Sequence, residues 1–445
     1  MATETLSPLE QRIGAEIDRL EPEIVAYVRH LMSFRTASQD PKYVEYSAQA
    51  AACLDTVAAF LTELGCRIQR WDAAPSTFPA HPVLAGCLPG RGGGRSITIN
   101  GHLDVVPVGA TPQGWASEVR DGAVHGRGSL DMKGGIVCAL MALRAIRHCG
   151  CDLDGDVWLH LVSDEEVVGW GTRECVERLP RTDAVIDPEP TDLAIIPIEG
   201  GLEHVRIEVE GLEAHAGSRW RSIHAAGHQA GGINAIEKMI KIIISVQELE
   251  RQWANTRSHP LFPPGYNSLL PGIIMGGPGG GHDGALNMVT NPGTTPNYCA
   301  VEYNIWYYPF ETIDQIRAEF EQYVLGVCNL DPWLREHLPR FTWALRNIRF
   351  PPFSTDPDHE FVRLMRGAAQ DAGITPAVKG FSAVADLAWY ATWGVPGALF
   401  GAGDVGLAHG PNEHVAVADL TAAAKTLALT LLRWCGHGTA ADSCS

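Results

Sequence analysis

The chain has 445 residues, 45% hydrophobic and 19% charged, and its 34 Lys+Arg against 52 Asp+Glu give a formal net charge of −18. That composition can bury a core, which excludes a disordered chain, and roughly 150 residues per domain leads to an expectation of two or three domains. The acidic balance, with no Lys/Arg run, argues against nucleic acid as the main partner. In the first 35 residues Ile17, Leu20, Ile24, Tyr27, Val28 and Leu31 recur at helical spacing. The opening has no basic stretch ahead of an apolar core, so no signal peptide is expected. A second, Ala-rich helix is predicted over 44–64, ending at Gly65. No apolar run reaches about 18 residues, so no membrane span is expected. The 11 cysteines form no CxxC pair and read as reduced thiols of a cytoplasmic protein.

Further along, GRGGGR over 90–95 precedes the strand SITIN over 96–100. A phosphate cradle needs the reverse order, strand then loop then helix, so this stretch reads as a turn. A helix is predicted over 132–148, with Ile136, Leu140, Leu143 and Ile146 on one face. The apolar run VWLHLV over 157–162 reads as a buried strand leading into Ser163–Asp164–Glu165–Glu166, and a strand over 184–186 leads into Asp187–Pro188–Glu189–Pro190. Strands alternating with helices predict an α/β layer with a mostly parallel sheet, whose chemistry sits at the C-terminal strand ends. The pattern then changes. VRIEV over 205–209 alternates as a half-exposed strand does, a long helix is predicted over 232–255, a Gly/Pro-rich stretch covers 276–284, and VEYNIWY over 301–307 alternates again. The expected organisation is a catalytic domain formed by 1–201 and 351–445, interrupted by a smaller α+β domain at 202–350.

Histidine or acid stands at five of the strand ends: His102, Asp131, Glu165–Glu166, Glu189 and His409. Each has a bland reading taken singly: a core histidine, a helix cap, a solvated turn, a turn between prolines, a loop histidine. Together they make a mixed His/carboxylate set suited to a divalent transition metal, zinc most readily, with manganese or cobalt also accommodated. One carboxylate shared between two ions would make a two-metal site, so one or two ions per subunit are expected. Spacing does not separate metal ligation from proton transfer when two glutamates are adjacent.

The string GHLDVVPVG, then Trp115, then DGAVHGRGSLDMKGG resembles the M20 metallopeptidases, which include acetylornithine deacetylase, succinyl-diaminopimelate desuccinylase, aminoacylase and glutamate carboxypeptidase. SDEEVVGWGT, DPEPTD, GLEAHAG and AHGPNEHV follow in the family's order, so the resemblance spans about residues 20–432. It implies a mostly parallel-sheet, zinc-peptidase-like catalytic domain with an inserted lid and dimerisation domain. It also implies roles: His102 and Glu189 on one ion, Glu166 and His409 on the other, Asp131 bridging both through a cis Asp131–Met132 peptide, Glu165 as general base. Asp104 would fix the tautomer of His102, and His215 would donate to the oxyanion from the lid. A homodimer or larger even-numbered oligomer is expected through that lid.

Two departures bear on substrate. Many members carry Asp-x-Arg before a lid proline, the Arg binding a substrate carboxylate; here those places hold Asn304, Ile305 and Trp306. Arg219 and Arg221, in a stretch longer than usual after His215, are replacement candidates. The loop over 276–295 is also lengthened, and the lid asparagine falls at Asn287 or Asn291. Trp306 reads equally as lid core or as a face for a flatter, less charged substrate. The expected function is hydrolysis of an N-acyl or formyl C–N bond of a small molecule by a metal-bound hydroxide. The alternative is an aminohydrolase that releases ammonia from an electron-poor aromatic amine. A dipeptidase would need a carboxylate anchor. A catalytically inactive binding relative would have lost a ligand or the base, whereas all six residues are present.

Overall fold

The strand Ile97–His102 is buried at all six positions, as are Val157–Val162 and Val185–Asp187. Strands buried at every position, polar Thr98, Asn100 and His160 included, suit a parallel sheet covered on both faces. In the computed structural model, which describes residues 6–38, 43–73, 81–108, 112–167, 169–223, 231–279 and 292–439, these strands form the centre of a nine-stranded mixed sheet. Val157–Val162, Ile97–His102, Val185–Asp187 and Gly397–Leu399 lie side by side and all parallel. Antiparallel strands flank them: His81–Leu88 and Arg67–Ala73 on one side, Ile195–Glu199 on the other.

Helices supply the covering layers. Pro8–Met32 starts with a capping box, Ser7 and Glu10 satisfying each other's backbone N–H groups, and with Pro8 in the first turn. Its buried Ile13, Ile17, Leu20, Ile24 and Val28 pack into one core with Lys133–His148 and Val417–Cys435. Lys133–His148 is more deeply enclosed than the one apolar face predicted, because almost all of its residues are buried. Tyr43–Glu63 ends just before Gly65, whose φ of +88° is the left-handed conformation that glycine adopts without a Cβ clash.

The chain divides into two compact units, 1–199 with 353–445, and 200–352. The observed boundaries lie two residues from those expected at each junction. The inserted unit is a five-stranded sheet in which Leu269–Gly277, Tyr298–Tyr307, Gly201–Glu210 and Arg340–Trp343 run antiparallel in that order, with Arg349–Phe350 also on Gly201–Glu210. The helices Ala235–Thr256 and Ile313–Cys328 share its core with the strands. The first of these helices begins later than predicted, because the Asn234 side chain accepts from the N–H groups of Ile236 and Glu237 and so fixes the cap there. Gly201–Glu210 differs from the half-exposed strand expected. Glu203 and Glu208 are buried, paired with Arg317 at 2.7 Å and Arg340 at 2.9 Å, and the facing Glu302 pairs with Arg206 at 2.5 Å. Alternating charge marked ion pairs here, not solvent.

Candidate metal centre

The C-terminal ends of the four parallel strands converge on one edge of the sheet. His102 is the last residue of its strand, Glu165 and Glu166 follow Val157–Val162, and Glu189 follows Val185–Asp187. Asp131 sits just ahead of the helix Lys133–His148, across a cis peptide to Met132. His409, in the loop after Gly397–Leu399, adopts φ +60°.

Two groups of donor atoms result, His102–Asp131–Glu189 and Asp131–Glu166–His409, the atoms of each lying within 4.8 Å of one another. Asp131 belongs to both. Its Oδ1 lies 3.2 Å from His102 Nε2, and its Oδ2 lies 3.1 Å from His409 Nε2. Glu189 Oε1 approaches His102 Nε2 at 3.4 Å and Glu166 Oε2 approaches His409 Nε2 at 3.2 Å. Glu165 Oε2 stands at 4.0 Å from the same His102 nitrogen.

The charges interact strongly. Burial pushes Glu165 well above the usual carboxylate range, against the pull of His102. It pushes Glu166 up to about 7, with the nearby Asp131 charge adding to the effect, and it raises Glu189 as well. Asp131 goes the other way: burial opposes ionisation, but hydrogen bonds from His102 and His409 outweigh it. His409 is raised to about 10 by its hydrogen bonds to Asp131 and Glu166. Four acids meeting two imidazoles leave an excess of negative charge in a buried place, which a cation offsets.

Asp104 is fully buried beside this set. Its backbone carbonyl, rather than its carboxylate, is the closer partner of His102 Nδ1, at 3.0 Å against 3.5 Å. Its carboxylate instead accepts from the N–H groups of Glu165 and Glu166, at 3.3 and 3.1 Å. It therefore orients the glutamate turn as well as the histidine. The sequence reading missed that task, and it also missed Arg127 and Glu413, which stand inside the motif strings and bond to the backbone of His409 and Asp131.

In the inserted unit, His215 is exposed and caps the short turn Ala216–Ser218, its Nδ1 accepting from Gly217 N–H at 3.1 Å. The neutral ring therefore carries its proton on Nε2. Arg219 pairs with Glu237 at 2.5 Å, and Arg221 is exposed. Trp306 is half-buried, edge-on to Tyr266 at 6.0 Å. Asn287 and Asn291 lie outside the described residues. Among the described residues no helix is long and apolar enough to cross a membrane.

A family model described as peptidase family M20/M25/M40 matches residues 98–433. The chain is 33% identical to N-formyl-4-amino-5-aminomethyl-2-methylpyrimidine deformylase of Halalkalibacterium halodurans, over 97% of this chain and 98% of that one. It is 32% identical to the deformylase of the same name from Bacillus subtilis, over 95% and 97%. It is 28% identical to acetylornithine deacetylase of Myxococcus xanthus, over 93% and 98%. Among solved structures, a dipeptidase from Saccharomyces cerevisiae matches with a TM-score of 0.70 at 14% identity, covering 96% of this chain and 98% of that chain.

Proposed function

The chain belongs to peptidase family M20/M25/M40, and from that premise we propose that it hydrolyses the N-formyl amide of a small heteroaromatic amine at a centre holding two divalent ions. The observation that carries this reading is Asp131, which turns one oxygen toward each histidine. His102 and Glu189 would hold one ion, Glu166 and His409 the other, with Asp131 in both groups. Zinc fits the nitrogen and oxygen donors best, with manganese or cobalt as substitutes. When bound, such a pair polarises a carbonyl and acidifies water.

Glu165 takes the proton from the attacking water and delivers it to the leaving nitrogen, so that amide and water become formate and amine. Donation to the developing oxyanion is the role that the family resemblance assigns to His215, whose neutral ring carries its proton on Nε2. A substrate without a carboxylate accords with Trp306 at the place where many members carry Arg. Two relatives named N-formyl-4-amino-5-aminomethyl-2-methylpyrimidine deformylase support an N-formyl aminomethylpyrimidine as the substrate class.

The enzyme acts as a homodimer in the cytoplasm. Leu269–Gly277 is an edge strand whose Leu270, Ile273 and Ile274 are exposed, and the adjoining helix exposes Ile240 and Ile244. A backbone edge with no strand partner among the described residues, beside apolar side chains, suits a second copy of the chain. All ten cysteines among the described residues are free thiols, in keeping with a reducing compartment.

The test is a metal-loaded assay on an N-formyl aminomethylpyrimidine, scored separately for formate and ammonia. Equimolar formate and amine support the proposal. Ammonia without formate would transfer the chain to the aminohydrolases.

A further inference from the structure

Two loops build the Asp131/His409 half of the centre, and one buried ion pair ties them together. Arg127 and Glu413 bond to each other with side chains only 4% and 1% exposed. Glu413 comes from the loop that carries His409. Its Oε1 accepts from Gly128 N–H at 2.7 Å and from the N–H groups of Leu130 and Asp131, each at 3.4 Å. Its backbone carbonyl accepts from Gly126 N–H at 2.9 Å. Arg127 comes from the loop that carries Asp131. Its Nη2 donates back to the carbonyl of His409 at 3.0 Å and to that of Pro107 at 3.4 Å. Each loop thus supplies the group that holds the other loop's ligand.

The two histidines differ in how much else holds them. The His102 side chain is 2% exposed and fixed by the packing at a strand end, whereas that of His409 is 54% exposed and its backbone sits at φ +60°. A non-glycine residue keeps that conformation only where its surroundings impose it. The Arg127 bond to the His409 carbonyl is such a constraint.

We infer that Arg127 and Glu413 are positioning residues that set the Asp131/His409 half of the centre, so that losing the clamp weakens one ion far more than the other. The inference rests on the reading above that the cluster binds two ions. Groups that orient ligands from behind typically change metal affinity by about 10–100-fold when removed.

The test is calorimetric titration of Co(II) alone into metal-free protein, with thermal melting alongside. Wild type takes up two equivalents. Glu413→Gln places an amide N–H₂ against the guanidinium, opens the clamp, and is expected to weaken one equivalent by about 10–100-fold while the other stays within a few-fold. If Glu413→Gln does not fold, the double variant Arg127→Gln/Glu413→Gln, which restores a neutral donor–acceptor pair, gives the same readout, because it still lacks the fork that reaches His409. A merely structural pair would lower the melting temperature and leave both affinities as in wild type, and that result in a folded variant overturns the inference. Fewer than two equivalents in wild type would instead overturn the two-ion reading, and the inference with it.

Discussion

Both units of the chain bury carboxylates, and they treat them differently. In the inserted unit each buried acid of the sheet meets a guanidinium: Glu203 with Arg317, Glu208 with Arg340, Glu302 with Arg206 and Arg346. Burial works against Glu208 and Glu302, yet their arginine bonds hold both below the usual carboxylate range. Glu203, the most enclosed, is raised by burial even beside its arginine. At the sheet edge of the catalytic unit, Asp131, Glu165 and Glu189 face imidazoles instead, and burial raises both glutamates. An acid matched by arginine is part of the scaffold. Acids gathered around histidine, with more negative charge than the ring nitrogens offset, make a place for a cation.

The largest effect should come from the one residue shared by both donor groups. Asp131→Ala is expected to lower metal content at both sites and to cut kcat further than removing the base does. Elemental analysis beside steady-state kinetics checks this, and undiminished metal would break the contrast at its centre. Next, Glu165→Gln should keep fold and metal but lose roughly 10²–10⁴ in kcat, the usual worth of a general base. Wild-type turnover by the purified variant would remove Glu165 from that role.

The scaffold side is tested by stability. Arg317→Met leaves Glu203 buried without its guanidinium, with the Ala344 N–H still bonded to it, and losing one partner of a buried pair costs about 3–5 kcal/mol in comparable cases. Denaturant unfolding should show that loss while metal content is unchanged. If the variant loses metal instead, the two sets of acids are not as separate as described. The smallest effect is that of pH. The folded pKa values of Glu208 and Glu302 lie below their unfolded values, so their contribution is present above the ordinary carboxylate range. It is lost as pH falls through the lowered values. Arg340 is half exposed, so solvent screening keeps the Glu208 pair below about 1 kcal/mol. Hydrogen exchange should loosen in Gly201–Glu210 and Tyr298–Tyr307 on acidification from pH 5 to 3. Unchanged protection there would mean that these pairs do not hold the sheet.

The sequence disclosed what periodicity and strand-end chemistry encode. The buried runs at 157–162 and 96–100 and the strand predicted over 184–186 became neighbouring parallel strands, and His102, Glu165, Glu166 and Glu189 stand at their ends because a parallel sheet brings its C-terminal ends to one edge. His409 was legible through the family motif rather than through any pattern of its own. The ion pairs of the inserted sheet were not legible, since alternating charge on a strand reads alike whether solvent or arginine lies opposite. The partner of Glu203 is Arg317, more than a hundred residues along the chain. Arg127 and Glu413 were hidden for the same reason, being 286 residues apart. The dual task of Asp104 appears only once the glutamate turn is folded over it. Trp306 proved half-buried, between the two readings its position allowed.

The central claim is that the catalytic unit's acids, unlike those of the inserted sheet, surround two cations that share Asp131. Anomalous diffraction from crystals grown with cobalt tests it most directly. The expected result is two peaks roughly 3.5–4 Å apart, one among His102, Asp131 and Glu189, the other among Asp131, Glu166 and His409. A fully active crystal form with a single peak, or with ions away from Asp131, would contradict it.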